Sequence, residues 1–115
     1  MWETEFYETE NGKKPVEEFL DSLDIKMRAK ALKDILLLKE FGTKMREPYS
    51  KPIKEGLFEL RIKFAGDISR IFYFFYINKR IVLTNGFIKK TKKTPKAEIK
   101  RALKYKSDYE RRFEK

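Results

Sequence analysis

Residues 56–95 read GLFELRIKFAGDISRIFYFFYINKRIVLTNGFIKKTKKTP. Phe58, Leu60, Ile62 and Phe64 alternate with Leu57, Glu59, Arg61 and Lys63, the period-two pattern of a strand with one apolar and one polar face. Ala65-Gly66-Asp67 is a turn signal. Ile68 to Ile77 then runs dense in aromatic and β-branched residues, the composition of a buried strand. Asn78-Lys79 makes a second tight connection, and Arg80 to Ile88 reads as a third strand. Short turns between three strands predict an antiparallel meander, because a parallel pair needs a long crossover.

Outward from this stretch, Trp2 to Tyr7 alternates like a first strand, and Asn11-Gly12 ends it. Pro15 suits the first turn of a helix whose Val16, Phe19, Leu20 and Leu23 form one apolar stripe. Asp24 can cap a second helix. For that helix the spacing offers Ile25, Ala29, Leu32, Ile35, Leu36 and Leu38 as its apolar side, with a stop at Gly42. Residues 43–55 read as a surface loop with an extended segment. Thr94-Pro95 opens a last helix running towards Arg112, with Ile99, Ala102, Leu103 and Tyr105 as a narrow apolar face. The order βαα, loop, βββ, α predicts one α+β domain over residues 1–115: a small antiparallel sheet, an N-terminal helix hairpin and a C-terminal helix.

A chain of 115 residues that is 41% hydrophobic and 15% aromatic can bury a sizeable core, and its 40% charged residues are mixed in sign along most of its length. With no cysteine and no histidine, disulfides, thiolate metal sites and imidazole acid–base chemistry are excluded. No cofactor and no metal site is expected. The acidic start lacks the apolar core of a signal peptide and no run is long enough to span a membrane, so a soluble cytoplasmic protein is expected.

The formal net charge is +10, and residues 89–106 hold nine basic residues against the single acid Glu98, a net +8. Such localisation is the footprint of a phosphate-binding face, and here the lysine cluster leads straight into a helix N-terminus, which also favours anions. A solvated basic helix without a partner is the plainer reading. Arg61 and Arg70 flank the Gly66 turn within apolar strands. If those strands pair, the two guanidiniums are neighbours, a costly arrangement without an anion, and arginine's donor fork suits a phosphate. Alternatively each pairs with an acid such as Glu59 or Asp67.

GLFELRIKFAGDISRIFYFF followed by GFIKKTKKTPKAEIKRAL resembles the phage-derived, HigB-like branch of the RelE/ParE toxin superfamily, over nearly the whole chain. The resemblance implies a RelE-like curved sheet and a toxin of a type II toxin–antitoxin pair. That toxin would be a metal-independent endoribonuclease cutting messenger RNA in the ribosomal A site. Its partners would be a HigA-like helix-turn-helix antitoxin, messenger RNA and the 16S ribosomal RNA, with operator DNA reached only through the antitoxin. By position, Arg61 matches a basic residue of the catalytic strand and Arg70 the arginine that contacts the scissile phosphate. Lys89, Lys90, Lys92 and Lys93 match the basic segment that contacts RNA, with Lys63 and Lys96 as further RNA contacts.

Related toxins draw their base from a tyrosine near the chain end, for which Tyr105 and Tyr109 are candidates by position, or from histidines, which are missing here. Without histidine the base must be a carboxylate, for which Glu59 stands beside Arg61, a lysine such as Lys90 or Lys93 crowded by like charges, or a ribosomal group. Phe87 can stack on a base or belong to the core. Two other readings are a ParE-like toxin acting on DNA gyrase and a non-catalytic nucleic-acid-binding module.

Overall fold

The computed structural model describes residues 1–88 and 93–113. Strand β1 (Glu3–Phe6) is followed by helices α1 (Pro15–Ser22) and α2 (Ile25–Phe41), which continues into a single 3-10 turn. Strands β2 (Ser50–Lys54), β3 (Leu57–Phe64), β4 (Asp67–Tyr76) and β5 (Arg80–Ile88) come next, and helix α3 (Lys96–Phe113) closes the chain. The five strands form one curved, unclosed sheet in the order β1-β5-β4-β3-β2, a mixed α+β architecture compatible with the RelE-like fold.

The β3-β4-β5 meander is antiparallel throughout, with Arg61 opposite Arg70 and Phe74 opposite Val82. Two strands depart from the expected arrangement. β1 lies parallel to β5, Glu3 opposite Arg80, because the chain between them, the helix hairpin followed by β2–β4, is a long connection of the kind parallel pairing needs. β2 forms where only an extended loop segment is expected. It is an edge strand with a register shift between Pro52 and Lys54, a place where proline costs no ladder bond.

Both faces of the sheet are covered. On one, Val16, Leu20, Leu23, Met27, Ala31, Ile35 and Leu38 of the hairpin pack on Leu60, Ile62, Ile71, Tyr73, Ile81 and Leu83. On the other, α3 lays Ala102 against Leu57, Phe72 and Phe87, and Tyr109 against Tyr7, Phe74 and Val82. This two-sided burial explains why Phe72, Tyr73 and Phe74 are all buried although their side chains alternate between faces.

Local chemistry sets the helix positions. Pro15 occupies the first turn of α1, and the Asp24 carboxylate accepts from the Met27 N–H at 2.9 Å to cap α2. The apolar side expected for α2 is rotated in the structure. Met27, Ala31, Ile35 and Leu38 face the sheet, whereas Ile25, Leu32 and Leu36 are exposed. Two apolar rows share this helix. The buried one includes Asp34, whose charge is held by Lys30 one turn back at 2.7 Å.

Gly86 marks the closest approach of α1 to the sheet, since a Cβ there would stand 2.3 Å from the Phe19 ring. Gly86→Ala is expected to destabilise the protein by about 1–3 kcal/mol through this overpacking. In a Phe19→Ala background the same substitution should cost much less. Urea unfolding of the four members of the cycle checks this.

Candidate nucleic-acid interface

The α3-facing side of β3 carries Leu57, Glu59, Arg61 and Lys63, and the same side of β4 carries Arg70, Phe72 and Phe74. The register places Arg61 directly opposite Arg70, and Arg70 in turn opposite Phe87. The two guanidiniums are therefore cross-strand neighbours, as the Gly66 turn implies. Arg70 is 3% exposed and Glu59 fully buried. Arg70 Nη1 donates to Glu59 Oε1 at 2.5 Å, and the Thr94 hydroxyl donates to Glu59 Oε2 at 3.1 Å.

One acid thus answers one arginine. Arg61 has no acid of its own among the described residues, and the Nε groups of both arginines are buried without a hydrogen-bond partner there. Two adjacent cations sharing one carboxylate leave a net positive site.

Thr94 stands just ahead of α3, so its bond to Glu59 ties the lysine-rich lead-in to the arginine pair. A second tie follows one turn into the helix, where buried Asn85 donates through Nδ2 to Glu98 Oε1 at 3.2 Å and accepts from Thr84 Oγ1 at 2.8 Å. Thr84 and Asn85 sit at the register shift where β5 spends an extra residue opposite Phe72. Neither Thr94 as a ligand of Glu59 nor Asn85 is evident from the sequence. The polar pair Thr84-Asn85 inside an apolar strand is the one signal that could have flagged the latter.

The other candidate residues fall into place around this centre. Lys63 is exposed on the same strand face as Arg61, two residues on, and Lys93 and Lys96 are exposed beside Thr94. Lys89, Lys90 and Lys92 lie outside the described residues. Phe87 is 7% exposed with its ring 5.3 Å from that of Phe72, so it is a core residue with no open face on which a base could stack. Glu59 has both oxygens engaged and no exposure, so it orients Arg70 and has no access to a substrate hydroxyl.

The tyrosines sit elsewhere. Tyr109 packs on Phe74 and Tyr76, four to six residues from Arg70 and so about 13–20 Å along β4. Its hydroxyl donates to Glu5 at 3.0 Å and accepts from Arg80 at 2.8 Å. Burial, with the Glu5 carboxylate, pushes Tyr109 up to about 12. Tyr105 stacks on Tyr7 with ring centroids 4.6 Å apart. Burial and the Asp108 carboxylate push Tyr7 up to about 12 as well. Donating to Asp108 and Glu5, Tyr7 and Tyr109 pin α3 to the β1 segment.

A family model described as "Phage derived protein Gp49-like (DUF891)" matches residues 18–107, from the helix hairpin through most of α3. The chain belongs to this family. Among curated proteins no sequence matches it significantly. The matched span of the Gp49-like model takes in the whole β2–β5 unit, the arginine pair, Glu59 and Thr94.

Two predictions test these roles. Glu59→Ala leaves the Arg70 guanidinium buried without its counter-charge and is expected to cost about 3–5 kcal/mol in urea unfolding, whereas Glu59→Leu combined with Arg70→Met should recover most of that loss. For the tyrosines, a pKa raised in the folded state means stability that is full below pH 10 and is lost as pH rises towards 12. Absorbance titration should show Tyr7 and Tyr109 ionising late, and Tyr7→Phe with Tyr109→Phe should flatten the alkaline loss of stability.

Proposed function

We propose that this Gp49-like protein is the toxin of a type II toxin–antitoxin pair and acts in the cytoplasm as a ribosome-dependent messenger RNA endoribonuclease. The observation that carries the reading is the Arg61–Arg70 pair: two guanidiniums facing each other across β3 and β4, with one carboxylate, Glu59, committed to Arg70 and none to Arg61 among the described residues. The localised positive charge and the resemblance to HigB-like toxins support it.

In this reading the half-buried Arg61 meets the scissile phosphate and Arg70, buried beside it, adds its charge to stabilise what grows on the phosphate as the 2′-hydroxyl attacks. Such preorganised electrostatic stabilisation is a large share of catalysis when donors are fixed beforehand. Glu59 fixes Arg70 and Thr94 fixes Glu59, so the donors do not have to reorganise. Proton transfer falls to a lysine of the 89–93 segment or to a ribosomal group. Lys63 and Lys96 contact flanking phosphates. A helix-turn-helix antitoxin is the controlling partner. Its seat is supported by the exposed row Ile25, Ala29, Leu32 and Leu36 on α2, an unusual amount of apolar surface for one helix face, with Lys26 and Lys33 alongside to favour an acidic amphipathic segment.

Induced expression in a bacterial host, with primer extension on a translated reporter message, tests the reading. The wild type should arrest growth and create new 5′ ends inside codons. Arg61→Gln and Arg70→Lys, which keep the fold, should each lower cleavage by about 10²–10³-fold, the usual cost of losing one transition-state donor. Arrest without new 5′ ends that survives both substitutions would make the protein a gyrase-type toxin. Absence of arrest would leave a nucleic-acid-binding module.

A further inference from the structure

Gly42 caps the C-terminal end of α2, and the sheet continues past it. Its φ is +49°, and a Cβ there would collide with the Trp2 indole, so the chain turns away from the sheet under that ring. Beyond this turn Phe58, Tyr73 and Phe75 line a cavity of about 600 Å³, with Met45 and Ser50 in its wall. Phe58 pairs with Tyr73, and Ser50 with Leu60, so these side chains share the hairpin face of the sheet. Arg61 and Arg70 lie on the reverse face.

The rings of the cavity are already arranged. Phe58 stacks on Tyr73 with centroids 5.5 Å apart, and Phe75 stands edge-on to both, at 5.3 and 5.7 Å. Phe58 and Phe75 are nevertheless only half-buried, so flat apolar surface is left facing the cavity.

Polar chemistry is confined to one point among these rings. Ser50 is 3% and Tyr73 1% exposed, and their hydroxyls are hydrogen-bonded to each other. Two hydroxyls carry two donor protons, and that bond uses one of them. The other has no protein acceptor among the described residues. A water drawn to it would meet mainly apolar rings, whereas a well-held buried water needs several polar partners. At the mouth Arg46 and Glu47 are exposed and opposite in sign. Lys51, opposite Glu59 in the register, points to the other face of the sheet. No net charge in the cavity selects an ion.

We propose that this cavity binds a small, neutral, planar aromatic compound carrying an acceptor oxygen such as a ketone. The ring of the compound lies against Phe58 and Phe75, and its oxygen accepts the spare proton of the Ser50–Tyr73 pair. A site of this volume, apolar and aromatic with a few fixed polar groups, has the make-up by which small molecules are selected. An apolar side chain of a partner protein fits less well, because it brings no acceptor for that proton. The proposal uses neither the arginine pair nor the lysines, so it stands apart from the ribonuclease reading. The site binds and performs no chemistry.

The probe for the test is prodan, a neutral dimethylaminonaphthyl ketone whose emission moves to shorter wavelength on leaving water. Dimethylaminonaphthalene, which lacks the ketone, is its companion. Each is titrated into the isotope-labelled full chain, with binding followed by fluorescence and its place by nuclear magnetic resonance. Trp2 is the single tryptophan and packs on Phe75 at 5.0 Å, so its indole N–H resonance reports from the cavity edge.

Saturable binding of prodan should shift that resonance together with the amides of Gly42, Ser50 and Tyr73. The ketone should bind roughly 3–10-fold more tightly than its companion, the worth of one hydrogen bond. Ser50→Ala combined with Tyr73→Phe keeps the rings and removes both hydroxyls, and should erase that difference while changing affinity for the companion by less than about twofold. The ratio of the two affinities in the unaltered protein makes the same point without any substitution. Absence of saturable binding, shifts centred on α3 or on the exposed row of α2, or an unchanged ratio in the double variant would each overturn the proposal. Tighter binding of the ketone-free compound would make the cavity a seat for a plain apolar side chain of a partner, and would overturn it too.

Discussion

The ion pair between Glu59 and Arg70 sits where the sheet, the lead-in to α3 and the basic surface meet, and the arrangement of all three depends on it. A buried pair contributes little net stability, because desolvation of both charges offsets their attraction, but losing one partner is expensive. The pair therefore acts less as glue than as a constraint on geometry. β3 and β4 must hold a register that brings position 59 diagonally beside position 70. Thr94 must then approach to satisfy the second carboxylate oxygen. With that oxygen taken, the start of α3 is set relative to the arginines.

The same constraint creates the positive site. Were Glu59 shared between both arginines, the cluster would be nearly neutral and closed. It is instead committed to Arg70 and Thr94, and Arg61 stands opposite Arg70 across the strands with no acid of its own among the described residues. The sheet supplies a fixed scaffold of two donors, and the chemistry this suggests is stabilisation of phosphate charge. That suits a chain without histidine, whose Tyr7 and Tyr109 hydroxyls are engaged by Asp108 and Glu5.

How much of this was legible follows from which rules are local. Strand alternation over residues 57–64 and the tight turn at Gly66 fix the neighbourhood of Arg61 and Arg70 from sequence, because antiparallel pairing across a short turn leaves almost no freedom of register. The meander, the hairpin and the caps at Pro15 and Asp24 are local in the same sense. The direction of β1 is not: it depends on the hairpin carrying the chain to the opposite edge of the sheet, from which β2–β4 bring it back to β5. α2 offers two apolar rows at helical spacing, and choosing between them depends on Lys30 neutralising Asp34 in the buried one. The surroundings of Glu59 are not local either. A carboxylate beside two arginines looks like a base until its second oxygen is seen to be occupied by a residue 35 positions away. Phe87 joined the core because α3 covers a face that the alternating pattern alone marks as polar.

The charge asymmetry can now be divided by location. Cations near β1 and at the C-terminal end of α3 are matched by Asp108, Glu110 and Glu5, and they hold the helix down. Among the described residues Lys96, Lys100 and Lys104 on the outward row of α3 pair with no carboxylate, and Glu98, the single acid of residues 89–106, is already shared by Asn85 and Arg101. Neutralised charge thus lies under and behind α3, while among the described residues the unmatched lysines of this helix stand on its outer face. Because a helix bound at both ends cannot turn that face away, the surplus positive field of the protein is aimed in one direction. A field so oriented favours the approach of any polyanion from that side, before specific contacts form.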